Sequence, residues 1–290
     1  MPSEGLPIGV SFRVLFSPRG DALATCGKRT VMLWDVAERK KRWETTSLKD
    51  PSELAMSSDG SRIAAKNTSG RVVLLDARDG SVLRTLDKGR GEGAAPVFDD
   101  ARDALVHGSW DGDLFVHDLA GADERKRSFE GEMIRAIHRH ERRWLVVRTP
   151  TTGSPRGGDR VALYDGSITG EPSGGFELAD LSHTALSPDG RFLAASRSHH
   201  GEIAVVRIAD GTVVASAPAK FGGTGAAIRW SGDHIGSVQE GRVELYHYPA
   251  SPAATAGSLE RIGGVDLDYP SDGAFSPDGS WSDGVVKPLV

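Results

Sequence analysis

Residues Arg13 to Val36 read R-V-L-F-S-P-R-G-D-A-L-A-T-C-G-K-R-T-V-M-L-W-D-V. An apolar run ends in Ser17-Pro18-Arg19-Gly20, a second run follows, a short polar turn intervenes, and a third run closes on Trp34-Asp35. Phe16, Leu23, Val31, Leu33 and Trp34 are the bulky and β-branched residues that suit a packed pleated surface. The stretch therefore predicts three short strands joined by two tight turns.

The same pattern returns along the chain. Equivalent turns begin at Ser57, Asp99, Arg139, Ser187, Ser231 and Ser276, in steps of 40, 42, 40, 48, 44 and 45 residues counted from Ser17. A nearly constant step with about four strand signals in each is the mark of a β-propeller. The third strands end in register on Leu33-Trp34-Asp35, Leu74-Leu75-Asp76, Val116-His117-Asp118 and Leu163-Tyr164-Asp165. Val206-Arg207-Ile208 and Leu245-Tyr246-His247 are weaker versions.

From Arg13 to Gly279 these motifs resemble the WD-repeat family. The resemblance implies an all-β, seven-bladed β-propeller of four-stranded antiparallel blades, with residues 1–290 as one domain. Trp34, Asp35, Asp76, Asp111, His117, Asp118, Tyr164 and Asp165 would then be structural. Members of the family hold each blade with a buried tetrad of Asp, His, Ser/Thr and Trp. Here the usual Gly-His opening is absent, and Ser109-Trp110-Asp111-Gly112 is the clearest surviving tetrad turn, with His117 in the Trp place. Packing should therefore hold most blades. Leu6 to Phe12 would close the ring against the last blade, which removes an open sheet edge. Residues 271–290 look like an abbreviated last blade, so six blades plus an incomplete one is the alternative.

Thirty-six glycines and 15 prolines fall between apolar runs, as tight turns require. The formal charge of −5 argues against bulk attraction to nucleic acid or an anionic membrane. The single cysteine, Cys26, allows no internal disulfide and sits in an apolar run as a small hydrophobe. The first residues lack a basic region and an apolar core, and no apolar run nears the roughly 18 residues that span a bilayer. These features predict a soluble, cytoplasmic protein.

In this architecture the Ser-Pro-x-Gly turns and the third-to-fourth turns share one face. On it, Arg125, Lys126 and Arg127 are placed in the last turn of the third repeat, and Arg139, Arg142 and Arg143 in the first turn of the fourth. Six clustered cations would suit an acidic protein segment, and less well a nucleic-acid backbone. Glu124 and Glu141 offset them, and charge runs commonly just face solvent. The second-to-third turns and inter-blade loops form the other face, around a central channel mouth. Lys28, Arg29, Lys66, Trp110, Arg148, Arg156, Arg197, His199 and His200 fall there. Trp110 could anchor a peptide whose carboxylates meet the arginines.

His199-His200 invites a metal, but adjacent side chains on an extended strand point apart and chelate poorly. Asp59, Asp99, Asp100, Asp103, Asp189, Asp233 and Asp278 recur at the repeat step as turn-makers. No G-x-S-x-G elbow or H-E-x-x-H motif is present. Gly222-Gly223-Thr224-Gly225 precedes a strand, so it does not cradle phosphate at a helix start. The sequence thus points to a non-catalytic scaffold that binds other proteins, with no cofactor and no metal. The alternative is an enzyme or a small-molecule or metal sensor at the channel mouth, for which Glu53, Glu132, Asp180, His183 and Asp266 are scattered candidates.

Overall fold

A computed structural model describes residues 11–27, 29–86, 91–152, 158–197, 199–220, 227–239, 242–249, 259–266 and 272–276. The Arg13–Val36 stretch forms β1 (Arg13–Phe16), β2 (Ala22–Cys26) and β3 (Val31–Asp35), and β4 (Lys40–Thr45) completes an antiparallel sheet. Its first turn shows why the sequence repeats. The Gly20 N–H donates to the Ser17 carbonyl at 2.9 Å, the Ala22 N–H donates to Ser17 Oγ at 3.0 Å, and Gly20 has φ +74°. Ser57/Gly60 and Ser187/Gly190 make the same bonds, at φ +74° and +68°, where a side chain would be strained.

Five further four-stranded sheets follow. The second holds β5 (Pro51–Met56), β6 (Arg62–Asn67), β7 (Val72–Asp76) and β8 (Val82–Leu86). The third holds β9 (Val97–Asp99), β10 (Ala104–Gly108), β11 (Asp113–Asp118) and β12 (Glu124–Ser128). A 3-10 turn, Asp100–Arg102, replaces the Ser-Pro-x-Gly turn between β9 and β10. The fourth holds β13 (Glu132–His140), β14 (Arg143–Pro150), β15 (Gly158–Asp165) and β16 (Gly174–Ala179). The fifth holds β17 (His183–Leu186), β18 (Phe192–Arg197), β19 (Glu202–Arg207) and β20 (Val213–Pro218). The sixth holds β21 (Ile228–Ser231), β22 (His234–Gln239), β23 (Arg242–His247) and β24 (Glu260–Asp266).

Among the described residues there are six sheets, not seven, which corrects the main expectation and agrees with the six-blade alternative. The apolar run needed for a second strand is missing after the last Ser-Pro-x-Gly turn, and the described residues 272–276 carry no strand. Residues 277–290 and the proposed closing strand up to Val10 lie outside the described residues.

The chain divides into two compact units, one reaching Ile137 and including Ser276, the other running from His138 to Phe275. In the first unit, Ala24, Leu33 and Trp43 of the first sheet pack with Leu54, Ile63 and Leu75 of the second. The second sheet's other face puts Val72 and Leu74 against Phe98 and Leu105 of the third. Middle strands are therefore apolar on both faces, and β2, β7 and β10 are buried at every position. In the second unit, Phe192, Ile203 and Val205 pack with Ile235, Tyr246 and Tyr248 in the same way. No helix among the described residues is long and apolar enough to cross a membrane.

Candidate functional site

The β10–β11 turn of the first unit presents Trp110. The Gly112 N–H donates to the Ser109 carbonyl at 3.2 Å, and the Trp110 N–H donates to the Glu92 carbonyl at 3.0 Å. Gly112 has φ +83°, and a Cβ there would collide with the carbonyls of Phe129 and Glu132. A fixed backbone thus holds an indole that is 46% exposed. Asp111 beside it is exposed, so the buried tetrad role predicted for it is not formed.

The other residues expected beside Trp110 divide between the two units. Lys28 and Arg156 lie outside the described residues, and Arg29 is exposed at the β2–β3 turn. Lys66 corrects the exposed placement: it is fully buried, donating to the carbonyls of Ala94 (3.1 Å) and Gly108. Burial pulls its amine from 10.5 to about 8, against the nearby Glu53 and Glu92 charges. Arg148 is partly buried in β14, opposite Arg160.

Arg197 is also buried, tied to Glu202 and to the Ala179 carbonyl. His199 and His200 stand on the β18–β19 turn, where the sequence places them, so the argument that neighbours on an extended strand point apart does not hold for them. Both Nδ1 atoms therefore reach one carboxylate, Asp180, at 2.9 and 3.1 Å, and both backbone N–H groups donate to its Oδ2. Burial raises the Asp180 pKa, but these four hydrogen bonds outweigh it and hold the carboxyl below its ordinary value.

The basic residues divide. Arg125, Lys126 and Arg127 are not in a turn but in β12, an outer strand of the first unit. Lys126 pairs with Asp113 at 2.8 Å, and Arg127 lies over the Phe129 ring. Arg139, Arg142 and Arg143 belong to the second unit. Arg139 stacks over the Trp144 ring at 5.3 Å, Arg142 is exposed, and Arg143 Nε donates to Asp165 at 3.1 Å.

Arg143 also lines a cleft of about 460 Å³ in the second unit, with Leu163, Asp165 and Ser173 from the fourth sheet. Gly190, Arg191, Phe192, Arg207 and Ile208 of the fifth sheet form the facing wall. Arg191 and Arg207 are each paired with a neighbouring turn residue, Asp189 (2.6 Å) and Asp210 (2.9 Å). Sequence reasoning missed this wall. Its signal was the small stretch Ser173-Gly174-Gly175, where the first sheet carries Arg42-Trp43-Glu44.

No protein-family model and no curated protein matches the sequence. Solved structures do match in three dimensions. The WD40 repeats of RRP9 align with a TM-score of 0.76 over 95% of this chain and 87% of theirs, at 15% identity. A chain of the mitotic checkpoint complex gives 0.73 over 95% and 85%, at 16% identity. A chain of Kuenenia stuttgartiensis hydrazine synthase gives 0.74 over 96% and 92%, at 15% identity. The fold is that of the WD40 β-propellers.

In this WD40-like propeller the polar tetrad is reduced to remnants. Trp34 Nε1 donates to Thr25 Oγ1 at 3.2 Å in the first sheet, and at the same register His117 and His107 meet Nε2 to Nε2 at 3.1 Å in the third. Tyr164 is buried. The terminal aspartates make turns: Asp35 accepts the Glu38 N–H, Asp76 the Arg78 N–H, and Asp118 those of Ala120 and Gly121. Asp165 pairs with Arg143. The scattered carboxylates are also engaged, Glu53 by two bonds from Arg13 (2.7 and 2.6 Å) and Asp266 by Arg242 (2.7 Å). Glu132 is buried in β13, and His183 is partly buried. Among the described residues no three His, Cys, Asp or Glu side chains are placed to hold a metal ion.

Proposed function

We propose that this propeller is a non-catalytic scaffold that docks a partner protein at the loop end carrying Trp110. The observation behind this reading is the exposed indole on a turn fixed by Ser109, Gly112 and the Glu92 carbonyl. A large apolar surface that loses little side-chain or backbone entropy on binding is what interface anchors share. The similar chain in the mitotic checkpoint complex shows the fold within a protein assembly. Arg29, exposed at the equivalent turn of the first sheet, is a candidate to meet a partner carboxylate beside the anchor.

The test is a pull-down from host extract with wild type and Trp110→Ala. Truncating an anchor of this kind costs about 2 kcal/mol or more, so a specific partner should fall roughly 30-fold in affinity. Thermal melting should stay the same, since the side chain is half in solvent. Identical partner recovery with both proteins would refute the assignment.

A further inference from the structure

We infer that the second unit carries a docking cleft for an acidic peptide, between the β14–β16 ends of the fourth sheet and the β18–β19 ends of the fifth. The cleft exists because one large side chain is missing. In the first sheet Trp43 stands opposite Leu33, donates through Nε1 to the Ala77 carbonyl at 2.9 Å, and covers Gly80 of the next sheet. The corresponding cleft there holds only about 140 Å³ and is further occupied by Arg42, which bonds Asp35.

In the fourth sheet the residue opposite Leu163 is Gly174. Phe176, two positions on, covers Gly211 as Trp43 covers Gly80, so the neighbouring turn is still held. The space opposite Leu163 stays open, and the cleft grows to about 460 Å³. That volume lies in the range of roughly 300–1,000 Å³ typical of ligand sites.

Its lining selects the occupant. Leu163, Phe192 and Ile208 supply an apolar floor sized for a bulky side chain. Arg143 stands on one wall, with Arg191 and Arg207 on the other. Arg143 reaches Asp165 through Nε alone and Arg207 reaches Asp210 through Nη1 alone, so among the described residues their remaining N–H groups meet no protein acceptor. The side chains of all three pairs are about one-third to three-fifths exposed, and solvent-screened pairs of this kind contribute little. Guanidinium groups on both walls of an apolar slot match a bulky residue with carboxylates before and after it in the chain.

The site shares no residue with the Trp110 turn, and its test is independent. A fluorescein-labelled Glu-Asp-Trp-Asp-Glu peptide is titrated by anisotropy, beside a Lys-Lys-Trp-Lys-Lys counterpart. The acidic peptide should bind wild type and Trp110→Ala equally. Arg143→Ala and Arg207→Ala should each weaken it roughly tenfold. Gly174→Trp, which returns the side chain found in the first sheet, should abolish binding. Gly174 accommodates a Cβ, whose nearest neighbour would be Leu163 Cδ1 at 3.8 Å. If that variant does not fold, Arg191→Glu with Arg207→Glu serves instead, and unchanged binding there overturns the proposal. Equal binding of the lysine peptide, wild-type affinity in folded Gly174→Trp, loss in Trp110→Ala, or equally tight competition by free citrate would each overturn it as well.

Discussion

Lys66 is a cation enclosed by the first unit, and its two carbonyl partners explain why it is tolerated there. Its folded pKa of about 8 lies below the ordinary 10.5. Between those values the unfolded chain holds a proton that the folded chain has released, so stability rises with pH across that window. The gain is about 3 kcal/mol. Urea midpoints of wild type and Lys66→Met should therefore diverge in favour of wild type from pH 8 to 10.5, and a constant difference would refute this. His138 has the same sign in a lower pH window. Burial and then the Arg229 charge hold it at about 4, below 6.5, while Nε2 meets Thr184 Oγ1 at 2.7 Å. His107 is depressed too, by burial, then by Lys66 and His117. Both contribute stability that is present above pH 6.5 and lost as the pH falls below it, for His138 toward its value of about 4. Denaturation midpoints should drop between pH 7 and 5, and His138→Gln should lessen that drop.

At the scale of the strand and turn, Trp43 is the clearest single contact between neighbouring sheets. Trp43→Ala removes a buried indole and its bond to Ala77, which should cost about 3–5 kcal/mol by urea denaturation. A cost under about 1 kcal/mol would show that the sheets do not depend on it. The turns were legible in the sequence because Ser17, Ser57 and Ser187 with their glycines satisfy local bonds that few other residues can make. The outer strands were not. Arg125, Lys126 and Arg127 look like a turn because β12 buries little, and it is a strand only through its ladder with β11. The Asp180 contact with His199 and His200 joins residues 19 and 20 positions apart across a turn, which residue spacing alone does not reveal. The cleft was hidden because it arises from a small residue, Gly174, whose meaning appears only beside the register of Trp43.

The molecule as a whole rests on repetition. Each sheet has two apolar faces, and within each unit neighbouring sheets cover one another, as Leu33 and Ile63 do in the first and Val205 and Ile235 in the second. The repeat step in the sequence revealed this plan, since every sheet must spend a similar length of chain on its four strands. The sheet count was harder to read, because the Ser-Pro-x-Gly motif at Ser276 signals a repeat although the sequence after it lacks the apolar run of a second strand. Native-state hydrogen exchange tests the plan most directly. The middle strands β2, β6, β10, β14, β18 and β22 pair on both sides, so their amides find partners and are shielded, and protection should peak there and fall at the outer strands β4, β8, β12, β16, β20 and β24. The account predicts that this rise and fall recurs once per sheet along the chain. Protection gathered into one continuous block, or highest in the outer strands, would contradict it.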